Sequence, residues 1–313
     1  MSVNRCYECS NVLCEDCYLK HDKLTNTEYH TFQATSDQML LNNKFFVGSL
    51  DIIYIKSFPD GLLVFAMFRS DKLFTSSVSD HKKNKEIKVS GRPCSIAILD
   101  RYTVAVLLSD DTYCNFDSIE IVDIRQRQII QQVGVNCLQR RFDCLDTSLF
   151  CSMFYIDEQL YTRCVSQITV IDMSGELDRK IDLEFTPTDM CYDTKAARIY
   201  CIDQSEERLI CFGRDGNIMF TFTGPGLTHF KRLTIDSEGY VLILCHENSD
   251  YKNFKVHRIS PDGKSDEVIV TGIHNYTYKY KHSSICFQEE SDSMVIGFGA
   301  RVYIYQKKSV NWT

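Results

Sequence analysis

The chain has 313 residues and a mass of 36.3 kDa, of which 44% are hydrophobic and 25% are charged. Its 19 Phe and 17 Tyr can fill a sizeable core, which excludes a disordered chain, and 14 Gly with 5 Pro exclude a collagen-like fibre. The 35 Lys+Arg against 42 Asp+Glu give a formal net charge of -7, which disfavours a strongly basic nucleic-acid-binding protein.

The sequence shows no sign of export or of a membrane span. Its longest strongly apolar run, residues 61–68, is much shorter than the roughly 20 residues of a membrane-crossing helix. The first residues, MSVNRCYECS, carry charge at once and lack the apolar segment of a signal peptide. Eleven of the 15 Cys are scattered from Cys94 to Cys286, mostly in apolar runs, which indicates buried thiols in a reducing compartment. We therefore expect a cytoplasmic protein.

The other four Cys lie within the first 17 residues, and two His follow them. The segment reads Cys6-x2-Cys9-x4-Cys14-x2-Cys17-x3-His21-x8-His30. Two C-x-x-C pairs followed by His are typical of zinc sites, because each C-x-x-C turn brings two thiolates onto one ion and Zn²⁺ prefers four ligands in a tetrahedron. So short a segment has too small a core to fold alone, so bound Zn²⁺ is expected to supply folding free energy. Incidental or disulfide-bonded cysteines are the alternative.

Over roughly residues 1–34 this pattern resembles the B-box zinc finger of the tripartite-motif (TRIM) family, in which eight ligands bind two zinc ions in a cross-braced arrangement. The resemblance implies one complete zinc site and half of a second. The complete site would use Cys6, Cys9, His21 and His30, and the half site would use Cys14 and Cys17. The family's first ligand pair has no counterpart here, because Met1 lies only five residues before Cys6. The resemblance therefore implies an N-terminally incomplete finger.

From Lys44 onward, short apolar runs alternate with turn clusters. Runs such as 61–68, 118–124 and 167–172 are rich in Val, Ile, Tyr and Phe, which is typical of β-strands. The strands repeat with a period near 45 residues. An Asp that ends the first strand of a unit recurs at Asp100, Asp146, Asp193 and Asp236, at intervals of 46, 47 and 43 residues. Four strands per unit at this period indicate the blades of a β-propeller.

Five full units begin near Ser49, Gly91, Arg141, Thr186 and Phe230, and a sixth begins near His282 but ends one strand short. The run 44–48 precedes the first unit and has no partner there. We expect this run to supply the missing strand of the last blade, because closure removes open sheet edges. The sequence thus predicts a mainly β, six-bladed propeller closed by its N-terminal strand. Seven blades would follow if residues 271–282 contained a strand pair, and a β-sandwich with an extra domain is the weaker alternative.

Two segments, 188–203 and 230–241, resemble the repeat core of the NHL propellers found in TRIM proteins. WD-type blades fit less well, because the sequence has no Trp-Asp pair and its only Trp is Trp312. The domain prediction is a partial B-box over residues 1–34, a linker over 35–43 and an NHL-like six-bladed propeller over 44–308.

These features predict a zinc-binding, non-catalytic interaction or scaffold protein whose propeller loops bind protein partners. The TRIM resemblance implies a role in the ubiquitin pathway or in innate-immune regulation. Ligase catalysis in that family belongs to a RING finger, which this sequence lacks, so the chain alone is not expected to be a ubiquitin ligase. A propeller hydrolase, such as a calcium-dependent lactonase, is one alternative. We identify neither a repeated inward carboxylate nor a G-x-S-x-G nucleophile motif for it.

An RNA-binding propeller is the other alternative. A candidate partner-binding segment interleaves aromatic and cationic side chains, as single-strand nucleic-acid surfaces do. It comprises Tyr276, Tyr278, Lys279, Tyr280 and Lys281. The first 43 residues hold 3 Lys+Arg and 6 Asp+Glu, which leaves 32 and 36 for the propeller. That net charge of -4 disfavours RNA as a partner.

Overall fold

The computed structural model describes residues 3–6, 12–14, 32–34, 39–47, 50–78, 84–109, 116–135, 152–164, 166–224, 227–247, 253–274 and 282–307. Within these ranges every helix or strand is a β-strand, and none of them contains a helix that could cross a membrane. A small three-stranded sheet comes first, in the order β2–β1–β3. Its strands are β1 (Val3–Cys6), β2 (Val12–Cys14) and β3 (Phe32–Ala34).

Six four-stranded antiparallel sheets follow. Blade 1 contains β5 (Ile52–Ser57), β6 (Leu62–Met67), β7 (Lys72–Ser77) and β8 (Lys85–Lys88). Blade 2 contains β9 (Arg92–Ile98), β10 (Thr103–Ser109), β11 (Phe116–Asp123) and β12 (Gln128–Gly134). Blade 3 contains β13 (Met153–Ile156), β14 (Gln159–Cys164), β15 (Gln167–Asp172) and β16 (Leu177–Asp182).

Blade 4 contains β17 (Pro187–Asp193), β18 (Arg198–Asp203), β19 (Arg208–Gly213) and β20 (Ile218–Phe222). Blade 5 contains β21 (Thr228–Ile235), β22 (Val241–His246), β23 (Asn253–Ile259) and β24 (Asp266–His274). Blade 6 contains β25 (Ser283–Gln288), β26 (Ser293–Phe298), β27 (Arg301–Lys307) and, as its outermost strand, β4 (Met39–Phe46).

The first strands of the blades lie side by side around a central channel. Their order is β5, β9, β13, β17, β21, β25 and back to β5. Among the described residues, apolar side chains form six core clusters, one between each pair of neighbouring blades. The predicted mainly β, six-bladed propeller is therefore confirmed.

Strand β4 closes the ring by pairing antiparallel with β27. Asn42 is an extra residue in this ladder, because Ile304 pairs with Asn43 and Tyr305 pairs with Leu41. One extra residue turns the side chains of a strand to the opposite face. Leu41 accordingly packs in the core between blades 5 and 6, whereas Phe45 packs in the core between blades 6 and 1. The prediction of a linker over residues 35–43 is wrong for residues 39–43. The asparagines at this bulge interrupt the apolar pattern that would have indicated a strand.

The repeated Asp residues shape the turns between first and second strands. The Oδ1 atom of Asp193 accepts hydrogen bonds from the backbone N–H groups of Lys195 at 2.9 Å and Ala196 at 3.1 Å. Asp100 and Asp236 accept two backbone hydrogen bonds each in the same way. An Asp side chain that binds the backbone two or three residues on is a common turn-forming device, so the period reflects turn geometry.

The third blade departs from the predicted repeat. Its first strand begins at Met153 rather than near Arg141, and Asp146 lies outside the described residues. The strand leads into a turn at Asp157 and Glu158, whose φ angles are 46° and 60°. Two consecutive positive φ angles are typical of a tight type I′ hairpin, which needs no Asp at the end of the strand. The even spacing of Asp146 in the sequence was therefore misleading.

Candidate functional site in the central channel

A cavity of about 280 Å³ lies where the first strands end at one face of the propeller. Phe154, Tyr192 and Phe287 contribute aromatic surface to its walls, and Ile98 adds an aliphatic side chain. Its polar lining comes from inner strands and the turns after them. These polar residues are Lys56, Ser57, Cys191, Asp193, Thr194, Lys195, Thr234, Asp236, Cys286 and Glu289.

A buried ion pair connects several blades at the channel. The Nη1 atom of Arg232 lies 3.8 Å from Oδ1 of Asp189, and both side chains are almost fully buried. Asp189 also accepts hydrogen bonds from the Ser152 hydroxyl and from the backbone N–H of Leu233, the latter at 3.0 Å. Buried charges need such partners because desolvation is costly.

The guanidinium of Arg232 extends the network to two further blades. Its Nε atom donates to the carbonyl of Ser283 at 2.8 Å, and its Nη2 atom donates to the carbonyl of Ile53 at 3.2 Å. Together with Ser152 and Asp189, these contacts join blades 3, 4, 5, 6 and 1. The pair therefore holds the first strands of the ring together.

Lys56 lies beside this pair and projects into the cavity. Its Nζ atom is 5.4 Å from the centroid of the Tyr54 ring, and the Arg232 guanidinium is 5.7 Å from the same centroid. Burial by itself lowers the pKa of Lys56, but the neighbouring Tyr54, Cys286 and Asp189 outweigh burial and raise the pKa above its usual value. Burial likewise raises the pKa of Tyr54. The net direction of these effects favours the charged form of Lys56.

Two cysteine thiols share the cavity with Lys56. Burial raises the pKa of Cys286 to about 12 and raises the pKa of Cys191 well above its usual value, although Lys56 opposes both shifts. The thiolate is the nucleophilic form of cysteine. Burial therefore disfavours the nucleophilic form of both thiols.

Two of the rim carboxylates, Asp193 and Asp236, already have partners. Asp193 closes a turn, as described above. Asp236 closes the next turn with Oδ1, and its Oδ2 atom accepts a hydrogen bond from Nε of Arg258 at 2.7 Å. Across the side chains that the structure describes, no group of three or more His, Cys, Asp or Glu residues is arranged to hold a metal ion. In the described channel, these carboxylates act in turns and ion pairs.

The residues singled out from the sequence lie mostly outside the described part of the chain. Cys6 ends β1 and Cys14 ends β2, where they pair with Phe32 and Val3 respectively. The remaining predicted zinc ligands, Cys9, Cys17, His21 and His30, lie outside the described residues, as do Tyr276, Tyr278, Lys279, Tyr280 and Lys281. The zinc site and this partner-binding segment therefore stay predictions.

Sequence reasoning missed Lys56, Asp189 and Arg232. Each occurs in a run that reads as an ordinary strand, and the hydrogen bond from Arg232 to Ile53 spans 179 residues of sequence. The sequence did contain one signal for them. Each is a charged residue in the first strand of a repeat unit, and the first strand is the innermost strand of its blade. Because inner strands converge on the channel, such charges meet only when the ring is closed.

The fold and the channel define a six-bladed β-propeller protein. No protein-family model matches the chain, and no curated protein matches it in sequence. Among solved structures, it is similar to virginiamycin B lyase from Staphylococcus aureus, with a TM-score of 0.57 and 11% identity over 86% of this chain and 100% of the other. Identity this low shows a shared fold alone.

Proposed function

We propose that the chain is a zinc-binding, non-catalytic interaction protein that resembles the TRIM proteins with NHL propellers. In this proposal an N-terminal B-box-like segment binds Zn²⁺, and the propeller presents its loops to protein partners in the cytoplasm. In this proposal, following the TRIM resemblance, the activity belongs to the ubiquitin pathway or to innate-immune regulation. A propeller suits this role because its rigid blades hold variable loops in fixed positions.

The proposal that the protein is not an enzyme rests on the hydrogen bonds and the ion pair of Asp189. A propeller hydrolase needs a channel carboxylate as a general base or a metal ligand. Asp189 instead accepts hydrogen bonds from Ser152 and Leu233 and faces the cation of Arg232. These contacts occupy its oxygens and favour a structural role. The similar solved structure is a lyase. The alternative function is therefore that of a propeller enzyme.

Two measurements test the zinc and ligase parts of the proposal. Native mass spectrometry of the purified chain should show at least one zinc ion, which His21→Ala should release because it removes a ligand from the complete site. The control variant His229→Ala, in blade 5, should keep its zinc. Given activating enzyme, conjugating enzyme, ubiquitin and ATP, the chain should not ubiquitinate itself. A metal-free chain, or ubiquitin chains whose formation depends on Cys6 or Cys14, would contradict the proposal.

A binding assay separates this function from the RNA-binding alternative. The propeller's net charge of -4 gives little attraction to phosphates. A labelled single-stranded RNA should therefore bind no more tightly than nonspecific complexes do, with a Kd of about 1 µM or weaker at physiological salt. Nanomolar binding that Tyr278→Ala or Lys279→Ala weakens would favour the RNA alternative.

A further inference from the structure

We propose that the channel cavity binds a small organic monoanion, an aromatic or branched carboxylate, through the ammonium group of Lys56. This inference goes beyond the proposed scaffold function, which needs no ligand in the channel. Three properties of the cavity carry it: a lysine with no ion pair among the described residues, the local excess of positive charge, and the apolar walls.

The first property is the isolation of the ammonium group. Lys56 is partly buried, yet within the described part of the chain its ammonium group forms neither a hydrogen bond nor an ion pair, and it lies 5.4 Å from the centroid of the Tyr54 ring. Burying part of a charged side chain costs free energy that a partner of opposite charge can offset. A cation held without a partner at a cavity wall is suited to an anion that enters from solvent.

The second property is the charge around Lys56. Asp189 is the carboxylate beside it, but that carboxylate already faces Arg232 at 3.8 Å. At the rim, Asp236 is paired with Arg258. The inner end of the cavity therefore carries an excess of positive charge that one carboxylate ligand would neutralise.

The third property, the apolar walls, determines which uncharged group the ligand carries beside its carboxylate. The rings of Phe154 and Tyr192 stack with their centroids 5.4 Å apart, and Phe287 and Ile98 add apolar surface. The volume of about 280 Å³ lies at the lower end of ligand-binding pockets, so the site suits a small molecule. The rim carboxylates Asp193 and Glu289 disfavour anions with several charges. In this proposal Lys56 binds the ligand as a point charge, through its ammonium group.

Benzoate is a suitable probe, and benzamide is its neutral counterpart. Isothermal titration of the full chain at pH 7 should give a Kd of about 1–10 mM for benzoate, as expected for so small a ligand. Benzamide should bind at least about tenfold more weakly, because it lacks the charge that Lys56 recognises. Lys56→Met should weaken benzoate binding at least about tenfold. Lys88→Met should leave it unchanged, since the side chain of Lys88 is 79% exposed on β8.

A second variant keeps the test decisive if Lys56→Met fails to fold. Thr234→Leu retains Lys56 but places a larger side chain in the cavity, and it should abolish benzoate binding. The absence of saturable benzoate binding to the wild-type chain up to about 50 mM would overturn the proposal. Equal affinity for benzoate and benzamide, or unchanged benzoate binding by Lys56→Met or Thr234→Leu, would also overturn it.

Discussion

Asp189 shows how one side chain stabilises several blades. Its carboxylate bonds to Ser152 of blade 3 and to the backbone of Leu233 in blade 5, and it neutralises Arg232, whose own donors reach blades 6 and 1. Removing one member of a buried ion pair leaves the other charge without compensation. The stability of the ring should therefore depend strongly on this residue.

Asp189→Asn keeps the shape of the side chain but removes its charge. We expect it to lower the free energy of unfolding by about 3–5 kcal/mol, because Arg232 becomes an unpaired buried cation. Urea denaturation followed by circular dichroism measures this loss. Asp157→Asn is a matched control, because Asp157 pairs with Arg214 at the surface and its side chain is 67% exposed. It should cost less than about 1 kcal/mol. Equal losses in both variants would contradict the structural role of Asp189.

Asp51, between the closing strand and blade 1, gives a prediction about pH. Burial raises its pKa from 3.8 to about 6 in the folded protein. Because the folded pKa exceeds the unfolded pKa, ionisation of Asp51 opposes folding. That cost is absent below pH 3.8 and fully present above about pH 6. Asp51 therefore reduces stability at neutral pH.

Asp51→Asn removes this ionisation and should stabilise the fold at pH 7 by about 1 kcal/mol, allowing for solvent screening of a partly buried group. At pH 4 the unfolding free energies of the variant and of the wild-type chain should differ little. The measurement at pH 4 is therefore the control for the measurement at pH 7. Unfolding free energies from urea titrations at the two pH values measure the effect. A variant that is equally stabilised at pH 4 and at pH 7 would show that charge is not the cause.

The residues of the channel could not be predicted from the sequence, whereas the turn residues could. Asp193 and Asp236 form turns within a few residues of themselves, so their pattern repeats along the chain. Lys56, Asp189 and Arg232 belong to blades 1, 4 and 5 and meet only across the channel. The local sequence pattern predicts contacts between residues that are close in sequence. It does not show which side chains distant in sequence the closed ring brings together.

Among the elements, β4 is the one on which closure depends. It supplies buried side chains to the cores on both sides of blade 6 and covers the edge of β27. The sequence indicated only its second half, residues 44–48, because the bulge at Asn42 interrupts the pattern. The repeat length nevertheless predicted six blades, since five full units and one incomplete unit leave a single strand to be supplied.

Removal of β4 should therefore open the ring. Deletion of residues 1–38 should leave a folded propeller, whereas deletion of residues 1–50 should abolish cooperative unfolding. The longer deletion removes Met39, Leu41, Phe45 and Val47, all of which are buried. At about 2–5 kcal/mol for each large side chain, their loss is comparable to or larger than the stability of a typical domain. Thermal denaturation followed by circular dichroism distinguishes the two deletions.

Neighbouring phenylalanines on β4 provide a matched control for this deletion. Phe45 is 7% exposed and packs between blades 6 and 1, whereas Phe46 is 63% exposed. Phe45→Ala should lower the free energy of unfolding by about 3–5 kcal/mol, and Phe46→Ala should change it much less. If the two variants melt alike and both deletions behave alike, the ring is closed in some other way.

At the scale of the whole molecule, the residues that the structure describes give no blade a core of its own. Each of the six apolar clusters is built from two adjacent blades, and the Arg232 network crosses the channel between blades that are not adjacent. Unfolding one blade would therefore expose half of two cores. In an open repeat array, by contrast, the terminal units have one neighbour and can unfold separately. A closed ring has no terminal unit.

Native-state hydrogen exchange of the full chain tests this coupling. The second strands β6, β10, β14, β18, β22 and β26 are central in the six sheets. We expect their slowest amides to exchange with one common free energy, equal to that of global unfolding, because no smaller opening exposes them. Mass spectrometry of peptides from each blade measures these values at increasing denaturant concentration. If the amides of one blade exchanged with a distinctly lower free energy of opening, the ring would unfold in parts. That blade would identify the interface at which the ring is least stable.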